Sequence, residues 1–200
     1  MKNKILLFIV RILRYLKERL DEEDYVYEVL HKRAREESAD YITQNAIDAI
    51  IYKKGAFIWD YTCRLLNDSN LDKSSKSVCF EFGVFKGNTI NKFANSCPQM
   101  KFYGFDSFEG LKEDWRGAHH GKGAFNLDGK LPKVCKNVVL IKGWFDETLP
   151  KFIEEFDKSD EVCKLIHIDC DTYESTSEVL KILRCHIKPG LLILFDELFC

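Results

Sequence analysis

Two short carboxylate clusters carry most of the reactive potential of this chain. His167-Ile168-Asp169-Cys170-Asp171 and Phe195-Asp196-Glu197 each close an apolar run, Leu165 to Ile168 and Leu191 to Phe195. If both runs are strands of one parallel sheet, Asp169, Asp171, Asp196 and Glu197 crowd a single rim. Like charges at about 4 Å repel by about 1–4 kcal/mol at surface dielectric values. A cation, a shared proton or exposure to water must relieve them. Oxygen donors alone suit magnesium or another hard divalent ion better than zinc. The competing reading has the acids capping helices and solvated at loop ends.

Three further segments sit where a ligand would. Glu81-Phe82-Gly83-Val84-Phe85-Lys86-Gly87 follows an apolar run, and its two glycines permit a tight turn and close ligand approach. It is neither the dinucleotide fingerprint nor the phosphate loop. Asp106, in Gly104-Phe105-Asp106-Ser107-Phe108, is placed to accept hydrogen bonds from ribose hydroxyls or to serve as a turn aspartate. Trp144 and Phe145 stand either beside an adenine or in the core. His167, two residues before Asp169, points to the same strand face and either orients that carboxylate or fills the core. His119 and His120 lie in a glycine-containing loop, near the strand ends or simply in solvent.

These positions require a scaffold of alternating strands and helices. The spacing predicts strands over 78–84, 102–105, 138–141, 165–168 and 191–195, and helices over 89–94, 149–156 and 175–187. The implied architecture is α/β, a Rossmann-like doubly wound and mainly parallel sheet of order 3-2-1-4-5. Ten of eleven glycines and all four prolines fall between Gly83 and Gly190. The composition therefore divides the chain into an N-terminal helical extension, residues 1–76, and a core, residues 77–200. Within the extension, Ile5, Phe8, Ile9, Ile12, Leu13, Leu16 and Leu20 recur at helical spacing, and a second helical stretch runs from about Ala39 to Asn67. The first helix suits a membrane surface, or docking on the protein's own core or a second subunit.

Composition narrows the function classes. A chain of 200 residues that is 46% hydrophobic builds a core and is not disordered. Thirty basic against 32 acidic residues supply no global field for nucleic acid. Eight cysteines without a C-x-x-C pair point to free thiols in a reducing, cytoplasmic setting. No run is long enough to span a bilayer.

Phe80-Glu81-Phe82-Gly83-Val84-Phe85-Lys86-Gly87 resembles the first motif of class I S-adenosylmethionine-dependent methyltransferases. Residues 104–111, 113–117, 143–150, 167–176 and 195–197 together resemble the macrocin O-methyltransferase family, in order and with matching spacing over residues 77–200. The resemblance implies S-adenosylmethionine held by Glu81, Phe82, Gly83, Val84, Phe85 and Gly87, and by Asp106, Ser107, Phe108 and Gly110, with Trp144 and Phe145 beside it. It also implies a divalent cation, Mg2+ or a similar ion, on Asp169, Asp196 and Glu197, where macrolide members carry Asp at the last position. Asp169 is then both metal ligand and candidate base. Relatives continue past the fifth strand, so this chain resembles a member truncated there. The strand edge is then expected to be unpaired and prone to association, giving a homo-oligomer through that edge or the N-terminal helix.

The function expected on these grounds is metal-assisted O-methylation of a hydroxyl on a sugar or glycosylated small molecule. Two rivals stay open at this point. Asp169-x-Asp171 also suits the metal motif of a nucleotide-sugar glycosyltransferase, and a shortened chain also suits a non-catalytic, cofactor-binding partner subunit.

Overall fold

The computed structural model describes residues 11–12, 25–46, 55–68, 76–115 and 120–196. Of the expected helix over Ile5 to Leu20, Arg11 and Ile12 are described, both helical, and the rest lies outside the described residues. The chain divides into two units, and the one containing the sheet begins at Tyr52. In the other unit, helix α1 (Tyr25–Asn45) starts 14 residues before the expected Ala39. Its sequence carries no continuous apolar stripe, and Val26, Tyr27, Leu30 and Tyr41 are exposed. Helix-favouring Glu, Lys, Arg and Ala residues form it instead, and a periodicity criterion does not register them.

The second unit contains α2 (Gly55–Leu66), β1 (Ser77–Phe82), α3 (Asn88–Ser96), β2 (Lys101–Asp106), β3 (Val138–Lys142), α4 (Phe145–Phe156), β4 (Val162–Ile168), α5 (Tyr173–Leu183) and β5 (Leu192–Phe195). All neighbouring strands pair in parallel, in the expected order β3-β2-β1-β4-β5. Every residue of β1 is buried, as a central strand covered on both faces must be.

Strand periodicity sorts the side chains onto two cores. Cys79, Phe102 and Leu165 face one way and pack with Ile90 and Phe93 of α3 and Cys63 and Leu66 of α2. Val78, Phe80, Phe82, Phe105 and Ile166 face the other way, against Leu149 and Phe156 of α4 and Val179 and Leu183 of α5. Phe80 meets the rings of Tyr103, Phe105, Phe152 and Phe156 edge-on at 5.2–6.0 Å, the geometry aromatic quadrupoles favour. The composition shift at residue 76 precedes the first strand, whereas α2 before it already belongs to the sheet's own core.

Two helix boundaries differ from expectation. Pro150, a residue usually found in a first turn, suggests a start at Leu149. The helix instead begins one turn earlier, after an extended Trp144, with Asp146 and Glu147 in its first turn, where the dipole favours acids. At the other end, α5 stops at Leu183 rather than Ile187. Among the described residues, the crossover from β2 to β3 contains no helix. Its residues form a flap tied back on itself, with Leu111 N–H donating to Ala124 C=O and Gly123 N–H to Leu111 C=O, each at 2.9 Å.

No disulfide joins the described cysteines. Burial, then the neighbouring Cys163, Cys97 and Cys63, push the Cys79 thiol well above its ordinary value, and burial carries Cys163 to about 12. A thiol held protonated is a poor nucleophile. Native-state alkylation followed by peptide mass mapping should therefore modify exposed Cys185 readily, and Cys79 and Cys163 only after denaturation. Rapid native labelling of Cys79 would contradict this packing.

Candidate active site

The site grows from the carboxyl ends of the strands, the edge of a doubly wound sheet where ligands bind. Each ladder runs one residue past its strand. Gly83 N–H donates to Phe105 C=O at 3.0 Å, Asp169 N–H to Phe82 C=O at 2.8 Å, and Asp196 N–H to Ile168 C=O at 3.0 Å. Gly143 N–H likewise donates to Asp106 C=O at 3.0 Å. These bonds hold Gly143, Asp106, Gly83, Asp169 and Asp196 in a row along one rim.

Gly83 has φ +88°, and a Cβ there would lie 1.7 Å from the Asp169 carbonyl oxygen. No side chain fits. The backbone turn that follows is held by Asp106, whose Oδ2 accepts from Val84 N–H at 2.8 Å and Phe85 N–H at 2.7 Å. Its Oδ1 accepts from Phe108 N–H at 2.7 Å. Asp106 thus clamps the glycine turn to the start of the flap, and Oδ1 retains capacity for another donor. Phe85, Phe108 and Asp171 all adopt left-handed backbone, φ +46°, +57° and +62°. Non-glycine residues are uncommon there, and such strain collects at functional sites.

One cleft opens over this rim. Of the residues expected at a cofactor, Gly83, Val84, Phe85, Asp106, Ser107, Gly110, Trp144 and Phe145 line it, and so does Asp169. Glu81, Phe82, Gly87 and Phe108 are not among its lining residues. Phe82 stacks on Phe105 at 4.7 Å inside the core, Gly87 supplies the left-handed cap of α3, and Phe108 is fully buried. Glu81 is 2% exposed and faces His167, 0% exposed, across the β1–β4 register, with Oε2 3.0 Å from Nδ1. Glu197 and His119 lie outside the described residues.

The cleft also takes in Leu111, Lys112, Phe125, Gly143, Cys170, Asp171, Ser175 and Glu178. Sequence reasoning placed the glycine-containing loop of His119 and His120 over the strand ends but did not single out Lys112 or Phe125 as lining residues, because periodicity gives no rule for how an irregular crossover folds back. The Gly110–Gly129 glycine density was the available signal. The flap presents an aromatic chain, with Phe85 against Phe125 at 5.4 Å, Phe125 against His120 at 5.0 Å, and His120 stacked on Trp115 at 6.0 Å. Glu113 anchors it to Thr172, whose hydroxyl donates at 3.3 Å. Lys112 pairs with Asp146 at 3.0 Å and stands 5.3 Å from the Trp144 ring centre.

Electrostatics mark the β4–β5 half of the rim. Burial, reinforced by Asp196, Glu81 and Asp171 and opposed by His167, raises Asp169 from 3.8 to about 7. Burial and Asp196 raise Asp171 to about 6. Burial also raises Glu81, against the pull of His167. For His167, burial opposes the charge, but the Glu81 hydrogen bond and the surrounding carboxylates outweigh it and raise the pKa. One ring nitrogen of His167 and carboxylate oxygens of Asp169 and Asp196 all lie within 4.8 Å of one another.

With this geometry in place, comparison with known proteins becomes informative. A family described as "Methyltransferase domain" matches residues 80–198, which run from within β1 through β5 and include the rim from Gly83 to Asp196. The chain belongs to this methyltransferase family. That membership decides against the glycosyltransferase alternative. Among solved structures, the chain is similar to the calicheamicin methyltransferase CalS11, with TM-score 0.57 and 23% identity over 80% of this chain and 71% of that one. A second CalS11 structure, apo and described as a TDP-rhamnose 3'-O-methyltransferase, gives TM-score 0.49 and 20% identity over 84% and 77%. The O-methyltransferase NovP gives 0.48 and 17% over 70% and 64%. The first likeness shows the fold. No curated protein sequence matches this chain. Among the described residues, no helix is long and apolar enough to cross a membrane.

The raised carboxyls and His167 make folding pH-dependent in one direction. Each binds its proton more tightly when folded, so stability present at low pH is lost as pH rises through the folded value. For Asp169 the window runs from 3.8 to about 7, and for Asp171 from 3.8 to about 6. In metal-free buffer, Tm should fall between about pH 4 and about pH 7, with a shallower decline in Asp169→Asn. Calorimetry across that range checks it, and an equal slope in the variant would contradict the burial of Asp169.

Proposed function

We propose that this methyltransferase uses S-adenosylmethionine and a divalent cation to methylate a hydroxyl on a sugar or glycosylated small molecule. The observation that carries the reading is a single cleft lined both by the Gly83 turn with Asp106 and by Asp169 with Asp171. The motif resemblance supports the sugar acceptor, and CalS11, whose fold this chain shares, is itself described as acting on TDP-rhamnose.

The residues present fit a nucleoside ligand. Asp106 Oδ1 keeps acceptor capacity toward ribose, Ser107 offers a hydroxyl, and Gly83 and Gly110 lie where backbone meets the cleft. Trp144 and Phe145 offer an apolar wall for a purine. They also fit a cation, because one ring nitrogen of His167 and carboxylate oxygens of Asp169 and Asp196 lie within 4.8 Å of one another, and Nε2 of that ring has no hydrogen-bond partner. Glu197, next in sequence, is assigned as a further carboxylate ligand. When bound, S-adenosylmethionine supplies an electrophilic methyl group on sulfur. When bound, a divalent cation lowers the pKa of the acceptor hydroxyl.

The chain's own residues do the rest. Asp106 holds the glycine turn rigid, so the nucleoside is met by a preformed backbone surface. Asp169, turned toward Asp196, serves the cation, which leaves Asp171 as the carboxylate free to accept the acceptor's proton. Asp171 lines the cleft two residues from Asp169, where a carboxylate is placed to take a proton from the acceptor. Asp171 thus takes over the proton step that the sequence reading gave to Asp169. The flap aromatics Phe85 and Phe125 exclude water from the line of methyl transfer and present rings to a sugar face.

Calorimetric titration with S-adenosylmethionine, with and without Mg2+, tests the cofactor assignment. Absence of heat in both titrations would overturn it. Asp106→Asn should weaken binding about tenfold to hundredfold, because its amide NH2 meets backbone N–H donors (about 1–3 kcal/mol). The loss should come with loosening of the turn, seen as faster amide exchange at Val84 and Phe85. Asp171→Asn should leave S-adenosylmethionine affinity unchanged and lower kcat about 100-fold or more. Full turnover by Asp171→Asn would return the proton step to another group.

A further inference from the structure

The Glu81–His167 pair is unexplained by the methyl-transfer chemistry and costly as a structural device. Both side chains are almost wholly buried, 3% and 1% exposed, between the two central strands. Replacing a buried ion pair by packed apolar residues is often neutral or stabilising, so such a pair calls for a reason. Its bonding is also incomplete. Nδ1 of His167 lies 3.0 Å from Glu81 Oε2, while Nε2 has no partner. A buried polar atom left without a partner is destabilising. The ring packs edge-on to Phe93 at 5.6 Å, which fixes its plane, and the Asp169 and Asp196 carboxylates lie beside it.

We propose that His167 is a nitrogen ligand of the cation site formed by Asp169 and Asp196, with Glu81 as the carboxylate that orients its ring. A metal-binding histidine almost always donates its other ring N–H to a carboxylate or carbonyl, which fixes the tautomer and raises the basicity of the ligating nitrogen. The Glu81–His167–Asp169–Asp196 arrangement has that form, with Nδ1 engaged and Nε2 left for the ion. Both exposed and buried parts of the site then have a purpose, since the rim carboxylates supply charge and the buried imidazole supplies selectivity. An imidazole among oxygens moves preference along the divalent series, from Mg2+ toward Mn2+, Co2+ and Zn2+. Binding at Nε2 requires that nitrogen to be unprotonated, so loading releases protons. The inference rests on the metal-assisted reading above and adds a ligand and a metal class to it.

The full chain loaded with Mn2+ alone tests it by electron spin-echo envelope modulation, without any turnover. Protein grown with natural-abundance and with 15N-labelled histidine should show an imidazole coupling that changes with the isotope. The coupling should vanish in His167→Gln and persist in the His119→Gln, His120→Gln double variant, which keeps the assignment decisive if His167→Gln does not fold. By calorimetry Mn2+ should bind at least tenfold more tightly than Mg2+, and Glu81→Gln should weaken Mn2+ about ten- to hundredfold while affecting Mg2+ less. Saturable Mn2+ binding without a histidine coupling would overturn the ligand and leave the metal reading standing. Absence of saturable binding for both ions would overturn the metal reading itself, and this inference with it.

Discussion

Where β1 ends, its backbone passes so close to β4 that a Cβ on Gly83 would sit 1.7 Å from the Asp169 carbonyl oxygen. The rest of the site depends on that approach. The glycine turn proposed to meet the nucleoside and the carboxylate proposed to hold the cation are consecutive points on one hydrogen-bonded ladder, joined by the Asp169 N–H bond to Phe82 at 2.8 Å. Their separation is therefore set by backbone geometry and not by side-chain rotamers. Transfer between two bound groups gains most when their distance and angle are held before reaction. The phenylalanine-rich cores above and below the sheet hold this ladder rigid from both faces.

Around that point the chain adopts conformations it would avoid elsewhere. Phe85, Phe108 and Asp171 are left-handed, and each is held by a bond or packing contact that leaves it little choice. Asp106 restrains the amides of Phe85 and Phe108, and the Cys170–Thr172 turn closes at 2.6 Å around Asp171. The reversal at Asp171 lets Asp169 and Asp171, which an extended strand would place on the same face, take different surroundings. Burial raises both carboxyls, to about 7 and about 6, with Asp196 acting on each.

Much of this architecture was legible in the residues. Strands announced themselves as apolar runs closed by glycine or acid, and alternation of strand and helix implied a doubly wound parallel sheet, for which the order expected, 3-2-1-4-5, is the one observed. Asp169, Asp106 and Gly83 were recognisable because strand ends are where such sheets bind ligands. What was not legible depends on register and on tertiary contact. Glu81 reads as a motif acid beside a cofactor, and only the pairing Glu81↔His167 across β1 and β4 reveals it as a buried partner of histidine. The flap is invisible to periodicity because its described residues form no regular element. The first 14 residues of helix α1 are missed for the opposite reason, being helical without an apolar face to betray them.

The placement of β1 between β2 and β4 also governs how the molecule comes together. The contact from Val84 to Asp106 closes a loop of 22 residues, whereas that from Glu81 to His167 spans 86. Longer loops cost more entropy before any contact rewards them, and parallel pairings of this kind are slow to form. The half of the rim around Gly83 and Asp106 can therefore assemble from nearby chain, while the half around Asp169 waits for distant sequence. Between those events, β1 presents one unpaired edge with a phenylalanine at alternate positions, Phe80 and Phe82. This is the stage of biogenesis at which the chain is most open to self-association, and a chaperone that shields strand edges would act there.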